Sequence, residues 1–277
     1  MMLAMACFVI NDALVKLVSQ AMPAGALIML RGLLASALVL VALRATGTRM
    51  QPHLLRSPWV LVRAGIDGLA TLAYLLSLFQ LPLANATAIN MATPLVITLL
   101  AVLWLRESVS AVQWAVLAAG FVGVLLVIQP RAEGFNAYAW LCLLGTALHA
   151  LRDLVTRRIS AQVPSLLITL ATAVVVTTMA AVLCLFQGWQ QPTPAQGGLL
   201  AAASVFLAAG YHLIIKATRL GDLSVVAPFR YSGLLMAVVL GIAVWGDVPN
   251  GWAIVGITLV VGSGLVLLRL QRTGTAG

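Results

Sequence analysis

Ala84–Trp104, ANATAINMATPLVITLLAVLW, and Ser224–Val244, SVVAPFRYSGLLMAVVLGIAV, read as one hydrophobic segment written twice, 140 residues apart. With Tyr74 set against Ile214 the register holds without a gap for about 35 residues, pairing Leu81 with Gly221, Asn90 with Arg230, Trp104 with Val244 and Glu107 with Asp247. In each copy an acid follows the apolar run within three residues, and a glycine-punctuated apolar run closes the half, with Gly120 and Gly123 in the first and Gly262 and Gly264 in the second. Self-similarity at one fixed spacing marks an internal duplication. It defines two units, residues 1–130 and 137–270.

The chain is 62% hydrophobic and 8% charged over 277 residues. A water-soluble domain carries roughly a quarter of its residues as charges, so the lipid bilayer is the expected solvent. The net charge of +9 does not point to nucleic acid, because the basic residues sit singly in short loops instead of clustering on one face. Cys7, Cys142 and Cys184 lie inside apolar runs with no CxxC spacing, which supports neither a disulfide framework nor a metal site. No Gly-rich phosphate loop of the Walker type is present, and no cofactor is expected. The first apolar run is interrupted by Asn11, Asp12 and Lys16 and lacks a small-residue cleavage site. It reads as the first spanning helix, not as a removed leader.

Breaks at Pro23, Thr46–Pro58, Pro82, Arg106–Ser110, Gln129–Asn136, Ser160–Pro164, Gln187–Gln196, Arg219–Asp222 and Gly246–Asn250 divide the chain into about ten spans, each able to cross roughly 30 Å of hydrocarbon. The predicted fold is therefore an all-α integral membrane protein of ten transmembrane helices. Five spans per half is an odd number, so the second half enters from the opposite side and the repeats are inverted. With the N-terminus inside, Arg44, Arg49, Arg56, Arg106, Arg157, Arg158, Lys216 and Arg219 fall in inner loops and Arg269 and Arg272 in an inner tail, leaving Arg131 outside. Both termini are expected in the cytoplasm and the chain in the plasma (inner) membrane.

An ionisable side chain near the bilayer centre costs about 2.5 to 3.5 kcal/mol on insertion scales, so those that remain should face a cavity or a partner. Asp12 and Lys16 are four apart on the first helix, and Asp153 and Arg157 repeat the spacing on the sixth. The first pair would lie toward the outer side and the second toward the inner side, as two gates would; the alternative is ordinary ion pairing or snorkelling at helix ends. Arg31 lies deep in the second span and is expected to pair internally with Asp12, Asp67 or a helix carbonyl. Arg230 lies opposite Asn90 in the repeat, so both are candidates for one central site, Arg230 offering a permanently charged fork suited to a carboxylate. Pro94 and Pro228 should kink the helices that carry these two residues. Tyr74, Tyr211, His212 and Tyr231 are candidate cavity-lining residues, with packing as the plainer reading. Ala115, Ala119 and Gly123 form a small-residue stripe read as packing within one subunit, so a monomer is expected.

Ten helices in two inverted halves, the acids Glu107 and Asp247 after the fourth and ninth spans, the segment Ala227-Pro-Phe-Arg-Tyr-Ser-Gly233, Asn11-Asp12 with Lys16, and Arg31-Gly32 together resemble the drug/metabolite transporter superfamily, EamA type. That resemblance covers almost the whole chain. It implies transport of a small organic solute, such as an amino acid or a similar metabolite, through a cavity between the halves, and no enzymatic activity. The family usually has Glu where Asp247 stands. A proton is the candidate coupling ion, carried on Asp12, Asp67, His149 or His212. The competing readings are an organic-cation efflux carrier of the same fold and an intramembrane enzyme built on His149 or His212. The last lacks any HExxH or GxSxG pattern.

Overall fold

A chain in hydrocarbon must satisfy each backbone N–H and C=O within its own segment, and the apolar runs of this sequence accordingly fold as helices. The computed structural model describes residues 1–48, 50–55, 57–105, 110–129, 136–156, 158–160, 162–220 and 227–274. Its helices are α1 (Met2–Ser19), α2 (Ala24–Ala45), a single-turn α3 (Pro52–Leu55), α4 (Pro58–Gln80), α5 (Leu83–Asn90), α6 (Thr93–Leu105), α7 (Ala111–Ile128), α8 (Tyr138–Thr156), α9 (Ser165–Gln187) and α10 (Pro194–Leu220). A 3-10 turn (Ala227–Tyr231), α11 (Ser232–Trp245) and α12 (Gly251–Gly274) complete the chain. Among the described residues, seven stretches are long and apolar enough to cross a membrane, including Ala24–Ala45, Pro58–Gln80 and Ser165–Gln187.

Local chemistry sets the ends. Pro23, Pro82 and Pro164 precede α2, α5 and α9 in extended backbone, which a proline's fixed φ favours. Ser110 and Gln113 form a reciprocal capping box at the start of α7. Gly246 ends α11 at φ +70°, where a side chain would strain the backbone. Gln129 takes the same left-handed conformation at the end of α7 without being glycine. Its side chain exchanges two hydrogen bonds, of 2.9 and 3.0 Å, with Asn250 at the start of α12, and these offset the strain.

The expected kink at Pro94 is instead a complete break. α5 stops at Asn90, two residues turn, and Pro94 lies in the first turn of α6, where a missing N–H costs nothing. Thr93 donates to the Asn90 carbonyl across the gap, at 2.6 Å. Pro228 belongs to the 3-10 turn before α11, so it bends no continuous helix either.

The helices pair across the sequence, α1 on α10, α2 on α9, α4 on α8, α5 on α11 and α7 on α12. Two pairings depend on bare glycine. A Cβ at Gly25 would lie 2.6 Å from the Cys184 backbone nitrogen, and one at Gly123 would lie 2.8 Å from the Gly256 carbonyl oxygen. Leu27, Leu75, Leu78, Leu83, Ile89, Leu95 and Leu234 fill the core, whereas Leu185 and Phe186 on α9 point outward, as lipid-facing residues do.

α4 and α8 run antiparallel. Asn136, just before α8, donates to the carbonyl of Gln80 at the end of α4, while Arg152 near the end of α8 reaches Asp67 toward the start of α4. The first end of the bundle thus holds the α1–α2 turn, the α4–α5 junction and the α11–α12 loop. The second holds the segment between α2 and α4 and the one between α8 and α9, where Leu54, Leu55, Val60, Ile159 and Val163 form a cluster.

Candidate functional site

Lys16 stands near the end of α1 and is only 7% exposed. Its ammonium donates to the carbonyl of Leu81, the residue that caps α4. It lies 3.9 Å from Asp247, just past α11, and 5.1 Å from the centre of the Trp245 ring. One buried cation therefore fastens three helices at the first end. The i, i+4 pair expected between Asp12 and Lys16 does not form. Helix spacing alone offers about 0.2–0.5 kcal/mol, less than the roughly 1.5–3 kcal/mol of a hydrogen bond to a charged group elsewhere, so tertiary partners win.

At the second end four charges form one network. Asp67 accepts from Arg152 at 2.8 Å and from Arg63 at 3.2 Å, and Arg152 also bonds Asp153 at 2.9 Å. Arg63 goes on to the hydroxyls of Thr156 on α8, at 3.0 Å, and Thr172 on α9, at 2.7 Å. This network balances two arginines with two aspartates and joins α4, α8 and α9. Arg63 was missed in the sequence, although it and Asp67 carry the same i, i+4 spacing that was noticed on α1. Asp67 and Leu81 are separated along α4 by about 21 Å at 1.5 Å per residue, so the two sets of contacts occupy opposite ends of the bundle.

Between them lies a layer of polar groups. Asp12 accepts from the Tyr74 hydroxyl at 2.9 Å and from Asn11 at 2.8 Å. Asn90, at the broken end of α5, meets His149 Nδ1 at 3.1 Å, and the His149 ring lies 6.1 Å from that of Tyr74. Tyr211 packs edge-on to Phe8 at 5.2 Å, where Gly210 leaves room for the Phe8 ring.

A cavity of about 850 Å³ opens off this layer between α2, α9 and α10. It runs from Arg31 and Tyr211, past Thr71 and Thr172, to Thr46, Thr48 and Pro164 at the second end. Arg31 is 8% exposed and feels the charge of Asp12. Even so, its guanidinium makes no hydrogen bond and no ion pair among the described residues, and its Nε is buried without a partner. The internal pairing expected for it is therefore only a long-range one.

Tyr211 lies on the wall of this cavity, and the other candidate residues among those described lie elsewhere. Arg230 sits exposed in the 3-10 turn before α11 and does not line the cavity, while Asn90, its expected counterpart, is taken by His149. The 3-10 turn explains the difference, since it displaces Arg230 from the position two turns inside a regular helix. Tyr231 is buried against Gly264 of α12, a packing contact on the far side of α11. Tyr74 is bound to Asp12, and Asp153 pairs with its neighbour Arg152. Arg157 lies outside the described residues, as do Arg49, Arg56, Arg106, Glu107 and Arg131, and so do the side chains of His212, Lys216, Arg219, Pro228 and Arg272.

The model of the EamA-like transporter family matches residues 1–129 and again 136–269. A riboflavin transporter of Rhizobium johnstonii is 30% identical over 213 residues, which cover 76% of this chain and 70% of that protein. The pseudopaline exporter CntI of Pseudomonas aeruginosa is 26% identical over 267 residues, covering 96% of this chain and 93% of its own. A solved crystal structure matches with a TM-score of 0.64 at 20% identity, over 98% of this chain and 96% of the other, a likeness of fold. A multi-pass helical bundle whose polar residues turn inward, matched twice by one family model, leaves one assignment: the chain belongs to the EamA-like transporter family.

Proposed function

We propose that this protein is a secondary transporter that carries a small organic solute across the plasma membrane by alternating access. One observation carries the reading. Charged contacts stand at both ends, Lys16 at the first and the Arg63–Asp67–Arg152–Asp153 network at the second, and between them lie a polar layer and a cavity that passes beside the network to reach the second end. A transporter needs a closure at each end, opened in turn.

In this reading the chain has ten spans in two inverted five-helix repeats, residues 1–130 and 137–270. The double family match and a pairing that is unchanged when the halves are exchanged both support it. Basic loops favour a cytoplasmic second end, so the conformation described here is closed outside and reached from inside. The lining offers an arginine and no carboxylate among the described residues, which favours a zwitterionic or anionic solute over an organic cation.

Counterflow tests the activity. Purified protein in liposomes preloaded with one unlabelled solute should accumulate the same labelled solute transiently and unchanged; chemical conversion, or equal uptake into protein-free liposomes, would defeat the proposal. Topology is checked with an impermeant maleimide on intact cells expressing cysteine-free variants. A cysteine at Ser57 should stay unlabelled and one at Asn136 should react, and the reverse pattern would invert the orientation.

Lys16→Met removes the outer closure. A cysteine at the fully buried Ser77, one turn before Leu81, should then label from outside several-fold faster than in the Lys16 parent. Unchanged labelling would mean that Lys16 is only a structural cation.

A further inference from the structure

We propose that Arg31 anchors the carboxylate of the transported solute, and that the solute's remaining atoms lie along the cavity between α2, α9 and α10. This rests on the transport reading above and names the chemistry of its site.

A guanidinium has five N–H donors and no means of shedding its charge in a protein. Burying it without filling those donors is costly, and chains retain such a group where a ligand supplies the missing acceptors. The two other inward-facing arginines near the site are filled. Arg63 bonds Asp67, Thr156 and Thr172, and Arg152 bonds Asp67 and Asp153. Arg31 alone in this group stands unbonded, on the cavity wall, more than nine-tenths buried.

Asp12 does not answer for it. Its two oxygens accept from Tyr74 and Asn11, and neither makes a hydrogen bond or ion pair with the guanidinium, so Asp12 offsets the arginine's charge without filling its donors. A carboxylate entering from the cavity would bond the planar fork with two parallel N–H···O contacts. Gly32, beside Arg31, lets Thr177 of α9 close on α2, and from there the cavity extends toward the second end. There the wall turns to Ala35, Leu38, Val39 and Ala173, with Thr169 and Thr172 presenting hydroxyls. Such a wall suits a solute with an apolar body, a few polar substituents and one acid group.

The probes are hexanoate and its uncharged counterpart hexanamide, both at millimolar concentration, with thermal unfolding of the purified protein as the readout. Hexanoate should raise the unfolding midpoint and hexanamide should not. Arg31→Lys, which keeps the charge and loses the fork, should bind hexanoate about tenfold more weakly, and Arg31→Gln about a hundredfold. Equal stabilisation by acid and amide, stabilisation by neither, or hexanoate binding unaltered in Arg31→Gln would each overturn the assignment. If Arg31→Gln does not purify, the contrast between acid and amide on the parental protein decides. The transport reading fails separately. Acid-selective binding that depends on Arg31, in liposomes that show no counterflow of any solute, would retain the site and refute the transporter, whereas counterflow of carboxylates at the parental rate in Arg31→Gln would do the opposite.

Discussion

Asp67→Asn is expected to destabilise the protein by about 3–5 kcal/mol, the usual cost of removing one partner from a buried ion pair and leaving the other uncompensated. Here the loss leaves Arg63 without a counter-ion and takes one of two from Arg152, because Asp67 is shared by both, and its side chain is only 9% exposed. Thermal unfolding in detergent, followed by gel filtration, would register it. Asp67→Asn combined with Arg63→Gln restores the charge balance, with Arg152 still held by Asp153, and should recover part of the loss. A midpoint within a degree of the parent for Asp67→Asn alone would show that the network is well hydrated and contributes little.

Gly123→Val comes next in size. The new side chain would meet the Gly256 carbonyl and the Leu259 Cβ, each at 2.8 Å from the Cβ, and the first of these is backbone with no rotamer to change. Overpacking costs about 1–3 kcal/mol where side chains can adjust, so this substitution should reach the upper end of that range or exceed it. Gly65→Val on α4 is the matched control, since no heavy atom lies within 4 Å of its added Cβ. Equal folded yields from the two variants would contradict the α7–α12 contact. A stripe of small residues read from the sequence as packing thus acquires a specific opposite number.

How much could be read from the chain differs by element. Pro82 forces a break because the residue before a proline resists the helical region, and α4 and α5 do part there. Pro94 carries the same signal but is the second residue of a helix that starts afresh, and one sequence cannot distinguish a kink from a restart. Arg31 and Asp67 were identifiable as costly residues needing partners. Which partners they find was not, because the answer depends on α8 and α9, distant in sequence and adjacent in space. The spacing of Asp12 and Lys16 misled for the same reason, while the identical spacing of Arg63 and Asp67 produced a real bond. Arg230 was misplaced by a 3-10 turn that local propensity does not announce.

The pairing of α1 with α10, α2 with α9, α4 with α8 and α7 with α12 also bears on how the protein is made. A ribosome delivers these helices in order, and each of the first half must wait in the bilayer for a partner that does not yet exist. Contacts within that half are sparse by comparison, so its closure is a late event, not a gradual one. Until α8 emerges, Asp67 and Arg63 have only each other; until α12 emerges, the groove at Gly123 is lined by lipid. A nascent chain stalled before its last helix is therefore an incomplete surface, not a smaller transporter, and it is the species that membrane quality control should recognise.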